Sequence, residues 1–282
     1  MRPVGKEAAL QTGAFTLLDV RGEAQFADGH LAGSGHLPRA ELLERRAELP
    51  PREQPVLVLA DDTHEAAAAA DELEAMGYPG AAWLDVPLGK LPGGHADRAP
   101  AARMWRPAPF LEAVLPQLRP RGVPHPGCAA DLAAGSGRDA VFLALQGFDV
   151  EAWDRAPEAL ERAVALARRC AVSIRPVIAN LEWTHPVPTL EPGRYALITV
   201  FRFLHRPLFA AIERALAPGG WLVYEAYRVG QERFGRPKSP KFLLEAGELA
   251  QAFPGLAIER YEEPDPPGGP ITARVLARKP IP

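Results

Sequence analysis

The sequence has few of the features that mark membrane, disulfide-stabilised or metal-binding proteins. Its 282 residues include only two cysteines, Cys128 and Cys170, which are too few and too isolated for a disulfide framework or a thiolate metal cluster. No apolar run approaches the ~20 residues that a membrane-spanning helix needs. The first residues lack the apolar segment of a signal peptide, so we expect none. These features predict a cytoplasmic protein that has no membrane partner and no metal site.

Neither sign of charge dominates the whole chain, whose net charge is −3, but the two halves differ. Residues 1–95 hold 8 Lys and Arg against 15 Asp and Glu, a net charge of −7, and the rest of the chain has a net charge of +4. This asymmetry is consistent with two domains. A charge of +4 is small for an RNA-binding surface, so a nucleic-acid partner is possible but not favoured.

The most informative stretch runs from Asp131 to Asp139 and contains Gly135 and Gly137. It follows a short apolar run and precedes a helical pattern, so it predicts a strand, a tight turn and a helix. Glycine allows close approach of a ligand, and the start of the helix presents free N–H groups to it. Asp154 follows 19 positions after Gly135, at the end of the next predicted strand. That is where nucleotide-binding α/β units hold ribose hydroxyls.

The stretch fits the dinucleotide-binding pattern only loosely, with Ala140 in the last Gly place. It resembles more closely the acid-x-G-x-G-x-G motif of class I S-adenosylmethionine-dependent methyltransferases, with Asp131 as the acid and Ala133 in the first Gly place. The resemblance extends to a fully apolar strand over residues 195–201 and to an Ala-Pro-Gly-Gly turn before Trp221. A helix over residues 245–253 and two strands over residues 257–262 and 271–277 are predicted to complete the domain.

Two further segments narrow the resemblance to one branch. Gly-Ser-Gly-Arg-Asp in the turn and Phe-Leu-Leu-Glu-Ala-Gly-Glu-Leu over residues 242–249 resemble the tellurite-resistance and thiopurine-type branch of these methyltransferases. This resemblance implies a Rossmann-like domain with a central, mostly parallel sheet.

The front of the chain predicts a second, smaller α/β domain with a parallel sheet, from strands at residues 15–20, 55–60 and 81–84. Leu-Leu-Asp-Val-Arg at residues 17–21, Glu23, Phe26 and the Gly-His and Gly-Ser-Gly-His-Leu-Pro segments that follow resemble a rhodanese domain. In that family a loop after the central strand begins with the sulfur-carrying cysteine.

Here Ala60 occupies the position of that cysteine, and Asp61, Asp62 and Thr63 replace the usual loop residues. Because sulfur transfer needs a thiolate, we expect this domain to be inactive and to serve as a docking or regulatory module for a protein partner. His30 and His36 are expected to bond to the backbone rather than to a metal.

The predicted organisation is a rhodanese-like domain over residues 1–95, a linker with one helix over residues 96–127, and a methyltransferase domain over residues 128–282. The linker is rich in proline and glycine. We expect the helix within it to begin near Pro109.

The resemblance also implies the site residues. The methionine part of S-adenosylmethionine, the expected cofactor, is assigned to the turn that includes Ala133, Gly135, Ser136 and Gly137, with Asp131 before it. The ribose is assigned to Asp154. The adenine and the reacting sulfonium are assigned to a further set of residues: Arg155, Asn180, Leu181, Glu182, Phe201 and Arg202.

Methyl transfer requires mainly that donor and acceptor be aligned, and a base matters only when the acceptor is protonated. His205, Tyr224 and Glu225 follow or end the central strands and are the candidate catalytic residues, although the interpretation of His205 as a helix-start residue bonded to the backbone is slightly favoured. A basic and aromatic stretch over residues 227–242 could be a lid that recruits an anion, a nucleic-acid contact or a solvated loop. The candidate substrate-binding residues are Trp105, Tyr227, Arg233 and Arg236.

The sequence thus predicts an S-adenosylmethionine-dependent methyltransferase acting on a small soft nucleophile or an anionic small molecule. Two alternatives stay open at this point. One is an RNA or protein methyltransferase that uses the rhodanese-like domain for docking, and the other is a non-catalytic sensor that binds S-adenosylmethionine.

Overall fold

A computed structural model describes residues 3–5, 13–118, 127–182 and 189–281 of the chain. The chain divides into two compact units, Met1–Arg106 and Pro107–Pro282. Residues 119–126, the last part of the predicted linker, lie outside the described residues. No helix within the described ranges is both long and apolar enough to cross a bilayer.

The first unit contains a five-stranded sheet in the order β1-β5-β4-β2-β3, and every strand pair in it is parallel. The predicted parallel α/β architecture is therefore confirmed. Two short strands, β1 and β3, were not predicted. The strands are β1 Pro3–Val4, β2 Thr16–Asp19, β3 Gly35–His36, β4 Val56–Leu59 and β5 Ala81–Leu84, and the helices are α1 Glu23–Asp28 and α2 Thr63–Ala75.

Local sequence explains where the main helix of this unit begins. The Asp62 carboxylate accepts a hydrogen bond of 2.7 Å from the backbone N–H of His64, so it caps α2 as expected. The helix packs a face of alanines and Leu73 against the fully buried strand β4.

The second unit contains a seven-stranded sheet in the order β11-β12-β10-β9-β6-β7-β8. Strand β12 runs antiparallel to β10 and β11, and the remaining neighbours are parallel. The strands are β6 Cys128–Leu132, β7 Asp149–Asp154, β8 Arg175–Ile178, β9 Tyr195–Phe201, β10 Leu216–Tyr227, β11 Ala257–Glu262 and β12 Thr272–Arg278. The helices are α3 Pro109–Leu118, α4 Arg138–Leu145, α5 Pro157–Arg169, α6 Phe209–Ala215 and α7 Glu248–Gln251.

The apolar strand β9 has the predicted bounds. Because it lies in the middle of the sheet, its side chains are buried along almost its whole length. The terminal antiparallel pair is also confirmed. The helix predicted over residues 245–253 is wrong in length, since α7 has only four residues. The preceding residues form a turn in which the Glu245 N–H donates to the Glu248 carboxylate at 2.8 Å.

Candidate functional site

The order of the strands locates a crevice at one edge of the sheet. Strands β6, β7 and β8 follow one another outward, whereas the next strand, β9, returns to the other side of β6. In open α/β sheets, ligands bind at the carboxyl ends of the strands beside such a reversal. The predicted site residues that follow β6, β7, β8, β9 and β10 are therefore brought to the same edge of one sheet.

The glycine turn after β6 has a left-handed backbone at three positions, Ala133, Gly135 and Gly137, with φ of 59°, 54° and 79°. Its shape is fixed by two backbone hydrogen bonds, from the Ala134 N–H to the Trp153 carbonyl and from the Gly137 N–H to the Ala134 carbonyl, each 2.9 Å. The turn therefore joins the ends of β6 and β7.

The two glycines have different surroundings. A Cβ at Gly137 would lie 2.4 Å from the Cβ of Ala163 in α5, so this residue lets the turn pack on that helix. A Cβ at Gly135 would meet no atom of the described residues within 4 Å, so the space beside it is open. Open space beside a left-handed glycine at the start of a helix is the geometry that a close-approaching ligand needs.

Asp154 lies at the end of β7, beside this open space. One carboxylate oxygen, Oδ2, accepts from the Gly135 N–H at 2.8 Å, and the other, Oδ1, accepts from the Ala156 N–H at 2.9 Å. A carboxylate oxygen has two lone pairs, so each can still accept one hydroxyl. The side chain is only partly buried and is held rigidly by these two bonds.

Asp131 lies next to the turn and is 2% exposed. It pairs in register with Thr199 of β9, whose hydroxyl donates to Asp131 Oδ1 at 2.9 Å. The other oxygen, Oδ2, is buried and has no hydrogen-bond partner among the residues that the structure describes. Burial raises the pKa of Asp131 well above its usual range, and the nearby Asp139 carboxyl adds to this rise.

Asp139 is a site residue that the sequence reasoning missed, although it belongs to the turn motif. It lies in the first turn of α4, and its Oδ1 accepts from the Ala108 N–H at 2.6 Å. Burial also raises its pKa. A ligand ammonium beside these two carboxyl groups would favour their ionised form, and the unpartnered Asp131 oxygen could accept its hydrogen bond.

The residues expected near the adenine are partly brought together. Arg155 and Glu182, at the ends of β7 and β8, form an ion pair of 3.0 Å, and the Asn180 side chain accepts from the Glu182 N–H at 3.0 Å. Leu181, in contrast, is buried in the core with Trp153. It can therefore offer a ligand only its backbone.

Of the two predicted residues at the end of β9, Arg202 lines a cavity and Phe201 is not among its lining residues. Arg202 directly follows Phe201, is exposed, and has a left-handed backbone with φ of 57°. Its N–H donates to the Glu225 carbonyl of β10 at 2.8 Å. This bond holds Arg202 against β10, and the next two residues, Phe203 and Leu204, line the cavity.

The cavity has a volume of about 670 Å³ and belongs wholly to the second unit. Its walls come from the ends of β8, β9 and β10 and from a loop after β10. Of the predicted substrate-binding residues it includes Tyr227 and Arg236. The lining residues are Glu182, Arg202, Phe203, Leu204, Ala226, Tyr227, Arg236, Pro237, Lys238, Ser239 and Phe242.

The other two predicted substrate-binding residues do not line this cavity. Trp105 is buried in the first unit, with the Arg103 guanidinium 4.9 Å from its ring centre. Arg233 donates to the Gly230 carbonyl at 3.1 Å and lies 3.9 Å from the Asp265 carboxylate.

The loop wall of the cavity is held by Arg206, which the sequence reasoning also missed. Its guanidinium donates to the Glu248 carboxylate, with an Nη2–Oε2 distance of 2.8 Å, and to the carbonyls of Lys241 and Leu243 at 3.1 and 2.9 Å. Phe242, between those two carbonyls, is thereby fixed on the cavity wall. No local sequence pattern links residue 206 to a loop some 35 positions later.

His205 follows the lining residue Leu204. Its Nε2 is buried and has no hydrogen-bond partner within the described ranges. Burial lowers its pKa, opposed in part by the charge of Glu182 on the cavity wall. The imidazole is therefore neutral at pH 7 and its ring can accept a proton.

The other two candidate catalytic residues lie in different surroundings. Tyr224 is 1% exposed, its hydroxyl donates to the Phe203 carbonyl at 2.9 Å, and burial raises its pKa. Its position is that of a residue supporting the cavity wall. Glu225 is half-buried, and burial raises its pKa, offset in part by the charges of Arg274 and Arg202.

The first unit has its own polar cluster, centred on Arg21, which is 3% exposed. The guanidinium donates to both oxygens of Asp19, to the Gly29 carbonyl and to Asp61 Oδ2 at 3.1 Å. His95 Nε2 lies 3.0 Å from Asp61 Oδ1 and 3.1 Å from the Arg21 guanidinium. The Asp61 carboxylate therefore lies between Arg21 and His95, one residue after Ala60.

His30 and His36 bond to the backbone, as expected. His30 Nδ1 lies 3.1 Å from the Phe26 carbonyl and His36 Nε2 lies 2.9 Å from the Arg21 carbonyl. Both rings stack on the Phe26 ring. Within the described parts of the chain, no group of three or more His, Cys, Asp or Glu side chains could hold a metal ion.

The sheet with a reversal at β6, the glycine turn and the acid after β7 define the second unit as a Rossmann-like ligand-binding domain with an added antiparallel pair. A sequence model of the family Tellurite resistance protein TehB matches residues 120–263, half of the chain, and a model of the rhodanese-like domain matches residues 6–86. The chain belongs to the TehB family and carries a rhodanese-like domain in front. It is an S-adenosylmethionine-dependent methyltransferase, and S-adenosylmethionine is its cofactor.

Individual relatives are distant. An uncharacterised protein of Schizosaccharomyces pombe is 21% identical over 296 residues, with 86% of each chain covered. TehB from Haemophilus influenzae superposes with a TM-score of 0.47 at 18% identity, over 60% of this chain and 61% of that chain. A candidate sarcosine dimethylglycine methyltransferase from Galdieria sulphuraria reaches a TM-score of 0.50 at 17% identity, over 60% and 84% of the two chains. The last likeness shows the shared fold.

Proposed function

We propose that the protein transfers the methyl group of S-adenosylmethionine to a small anionic molecule that carries a soft nucleophile. The observation that carries this proposal is the cavity at the ends of β9 and β10, which is lined by Arg202, Arg236 and Lys238. Most of its lining follows β9 and β10, on the side of β6 opposite to Asp154, and Glu182 lines it from the β8 side, so cofactor and acceptor can occupy neighbouring parts of one sheet edge.

The chain's own groups fit the cofactor. The open space beside Gly135 can hold part of the ligand, and the Asp154 oxygens can each accept a hydrogen bond from a ribose hydroxyl. The unpartnered Asp131 Oδ2 suits the ammonium of the methionine part. When bound, S-adenosylmethionine supplies an electrophilic methyl group on a sulfonium that leaves as a neutral thioether.

The chain contributes alignment and a proton acceptor. The cavity walls hold the acceptor against the ends of β9 and β10, which lowers the entropic cost of the reaction. If the acceptor is protonated at neutral pH, His205 Nε2 takes its proton as the bond to the methyl carbon forms. Glu225 has Arg202 and Arg274 close to it and supports the wall electrostatically.

Calorimetric titration of S-adenosylmethionine tests the cofactor half of the proposal. We expect saturable binding by the wild type and at least tenfold weaker binding by Asp154→Ala, since two charge-assisted bonds are lost (about 1.4 kcal/mol per tenfold). Asp149→Ala is the matched control, because Asp149 is exposed at the opposite end of the same strand. Equal binding by wild type and Asp154→Ala contradicts the assigned role.

An acceptor screen then tests the chemistry, starting with thiols and chalcogen oxyanions and measuring S-adenosylhomocysteine release. With a protonated acceptor we expect His205→Gln to lower kcat by roughly 10² or more without weakening S-adenosylmethionine binding. An unchanged kcat at pH 6–8 removes His205 from the proposal.

We further propose that the rhodanese-like domain, at about residues 1–95, does not transfer sulfur and acts as a docking module for a protein partner. Ala60 offers no nucleophile, and the Asp61 carboxylate bound by Arg21 and His95 opposes an anionic sulfur donor. Thiosulfate-to-cyanide transfer by the intact protein above the buffer rate contradicts this part of the proposal.

A further inference from the structure

Asp139 joins the glycine turn to the segment that enters the second unit. It is the second residue of α4, directly after the turn, and its Oδ1 accepts a hydrogen bond of 2.6 Å from the Ala108 N–H. Ala108 lies two residues after Arg106, where the first unit ends, and immediately before α3. The Asp139 carboxylate therefore holds the chain at the point where α3 begins.

The backbone around Ala108 makes this contact the natural determinant of where the helix starts. Residues 101–108 form neither helix nor strand. Pro107 and Pro109 have no backbone N–H, so Ala108 carries the only one among these three residues. Its carbonyl accepts the first hydrogen bond of α3, from the Glu112 N–H at 3.0 Å. One side chain thus fixes the residue from which the helix is built.

A second attachment of α3 lies at Phe110, which is 1% exposed. The guanidinium carbons of Arg260 and Arg274 lie 5.7 and 5.1 Å from the centre of its ring. Both arginines are held by Glu262, whose carboxylate accepts from Arg260 Nε at 2.5 Å and from Arg274 Nε at 2.6 Å. This attachment lies on the β11–β12 pair and does not involve the glycine turn. It holds α3 on the domain when the start of the helix is released.

Asp139 also lies close to Asp131, the buried acid before the turn. Burial and the Asp139 charge together raise the pKa of Asp131. A single backbone N–H could be held by a neutral acceptor, whereas two neighbouring carboxyl groups oppose each other's ionisation until a cation lies beside them. The ammonium of S-adenosylmethionine, placed above at Asp131 Oδ2, is such a cation.

From these contacts we infer that Asp139 is a positioning residue that couples the docking of α3 at Ala108 to the binding of S-adenosylmethionine at Asp131. With the cofactor bound, its ammonium stabilises both carboxylates. A charged Asp139 then binds the Ala108 N–H more strongly and holds the start of α3 more firmly. Coupling of this kind is reciprocal, so the docked helix strengthens cofactor binding by the same factor. The inference rests on the proposed placement of the cofactor and is independent of the acceptor.

Hydrogen exchange and calorimetry on the full chain test the two sides of this coupling. In the wild type we expect saturating S-adenosylmethionine to slow amide exchange over residues 108–115 about tenfold. Asp139→Asn keeps an oxygen that accepts from Ala108 but cannot ionise. Its exchange without cofactor should therefore stay near that of the wild type, whereas the slowing should fall to about twofold or less and the affinity for S-adenosylmethionine should fall about tenfold.

Three further variants separate coupling from general effects. Ala108→Pro removes the donor and leaves both carboxyl groups in place, and the extended backbone favoured before Pro109 suits proline, so exchange over residues 110–115 should no longer slow with cofactor. Asp154→Ala, once saturated, should still show the slowing, because Asp154 contacts neither Asp139 nor Ala108 through its two backbone hydrogen bonds. Glu158→Ala is the matched control, an exposed acid in the first turn of α5, and should behave as the wild type.

The inference is overturned if cofactor does not slow exchange in the wild type, if Asp139→Asn or Ala108→Pro retains the full slowing, or if Glu158→Ala loses it. The proposed cofactor contacts fail in a different way. In that case the wild type does not bind S-adenosylmethionine, or Asp154→Ala binds it as tightly as the wild type does.

Discussion

Gly135 and Gly137 provide a matched pair of substitutions, because they share a backbone conformation and differ in what surrounds them. Both have a left-handed backbone, with φ of 54° and 79°. A Cβ at Gly135 points into open space, whereas a Cβ at Gly137 would lie 2.4 Å from the Ala163 Cβ and 3.0 Å from its Cα. Replacing each by alanine therefore separates ligand contact from packing.

The expected costs follow from these distances. The left-handed conformation costs an alanine about 1–2 kcal/mol at either position. At Gly137 the Cβ must also displace α5, and overpacking of this kind costs roughly 1–3 kcal/mol more. We therefore expect Gly137→Ala to lower the free energy of unfolding by about 2–5 kcal/mol and Gly135→Ala by about 1–2 kcal/mol.

The affinity for S-adenosylmethionine should respond to the two substitutions in the opposite order to stability. The Cβ of Gly135→Ala occupies the space assigned to the cofactor, so we expect S-adenosylmethionine affinity to fall at least tenfold, about 1.4 kcal/mol, in a protein that is otherwise folded. Urea denaturation gives the stability of both variants, and calorimetry at a temperature well below both transitions gives the affinity.

Ala163→Gly provides the internal control, since it removes the nearest atom from the Gly137→Ala contact at a helix cost of about 1 kcal/mol. The double variant should be more stable than the sum of the two single effects predicts. If Gly137→Ala is no less stable than Gly135→Ala, the packing argument is refuted. If Gly135→Ala binds S-adenosylmethionine as the wild type does, the close approach at Gly135 is refuted.

Three further predictions concern side chains around the site. Burial raises the pKa of Asp131 in the folded protein above its unfolded value of about 3.9, so the folded state keeps a proton that the unfolded state releases. Stability therefore falls as pH rises above about 4, and Asp131→Asn should flatten this fall in urea denaturation. Tyr224→Phe should lower the free energy of unfolding by about 1 kcal/mol by leaving the partly buried Phe203 carbonyl without this hydrogen bond. Arg206→Lys keeps the charge but cannot span carboxylate and carbonyls, so amide hydrogen exchange around Phe242 should accelerate.

Each of these has a matched comparison. Asp149→Asn, at the exposed start of β7, should leave the pH dependence of stability unchanged, and an equal flattening there would contradict the role of burial. Tyr224→Phe as stable as the wild type would mean that the carbonyl bond is dispensable. Arg214→Lys, on the exposed side of α6, should not alter exchange near Phe242, and equal acceleration would point to a general loss of stability.

Much of the fold could be predicted from local sequence, because the residue pattern within these elements agrees with the structure that each element forms. Strand β9 is a run of buried β-formers with the predicted bounds, and the cap of α2 follows from the position of Asp62 before the helix. The terminal helix was overestimated, since α7 begins only at Glu248. Short edge strands such as β1 and β3 have two residues each, too few for any periodic pattern.

The cofactor region was more predictable than the acceptor region for a topological reason. The turn and Asp154 lie within one strand–helix–strand unit, so their spacing in sequence reflects their spacing in the fold. The cavity draws its walls from segments near residues 182, 203, 226 and 240, which only the sheet order brings together. Whether a side chain faces the cavity, like Tyr227, or the core, like Tyr224, depends on strand pleat and register.

The carboxylate of Asp61 in the front domain has a consequence for any attempt to restore sulfur chemistry there. Introducing a thiol by Ala60→Cys would put the sulfur beside Asp61, and a neighbouring negative charge raises the pKa of a thiol, so the restored cysteine would remain protonated at neutral pH. Removing Asp61 alone would free Arg21 and His95 without supplying a nucleophile. If the domain does not transfer sulfur, as proposed above, regaining that activity requires at least these two changes together.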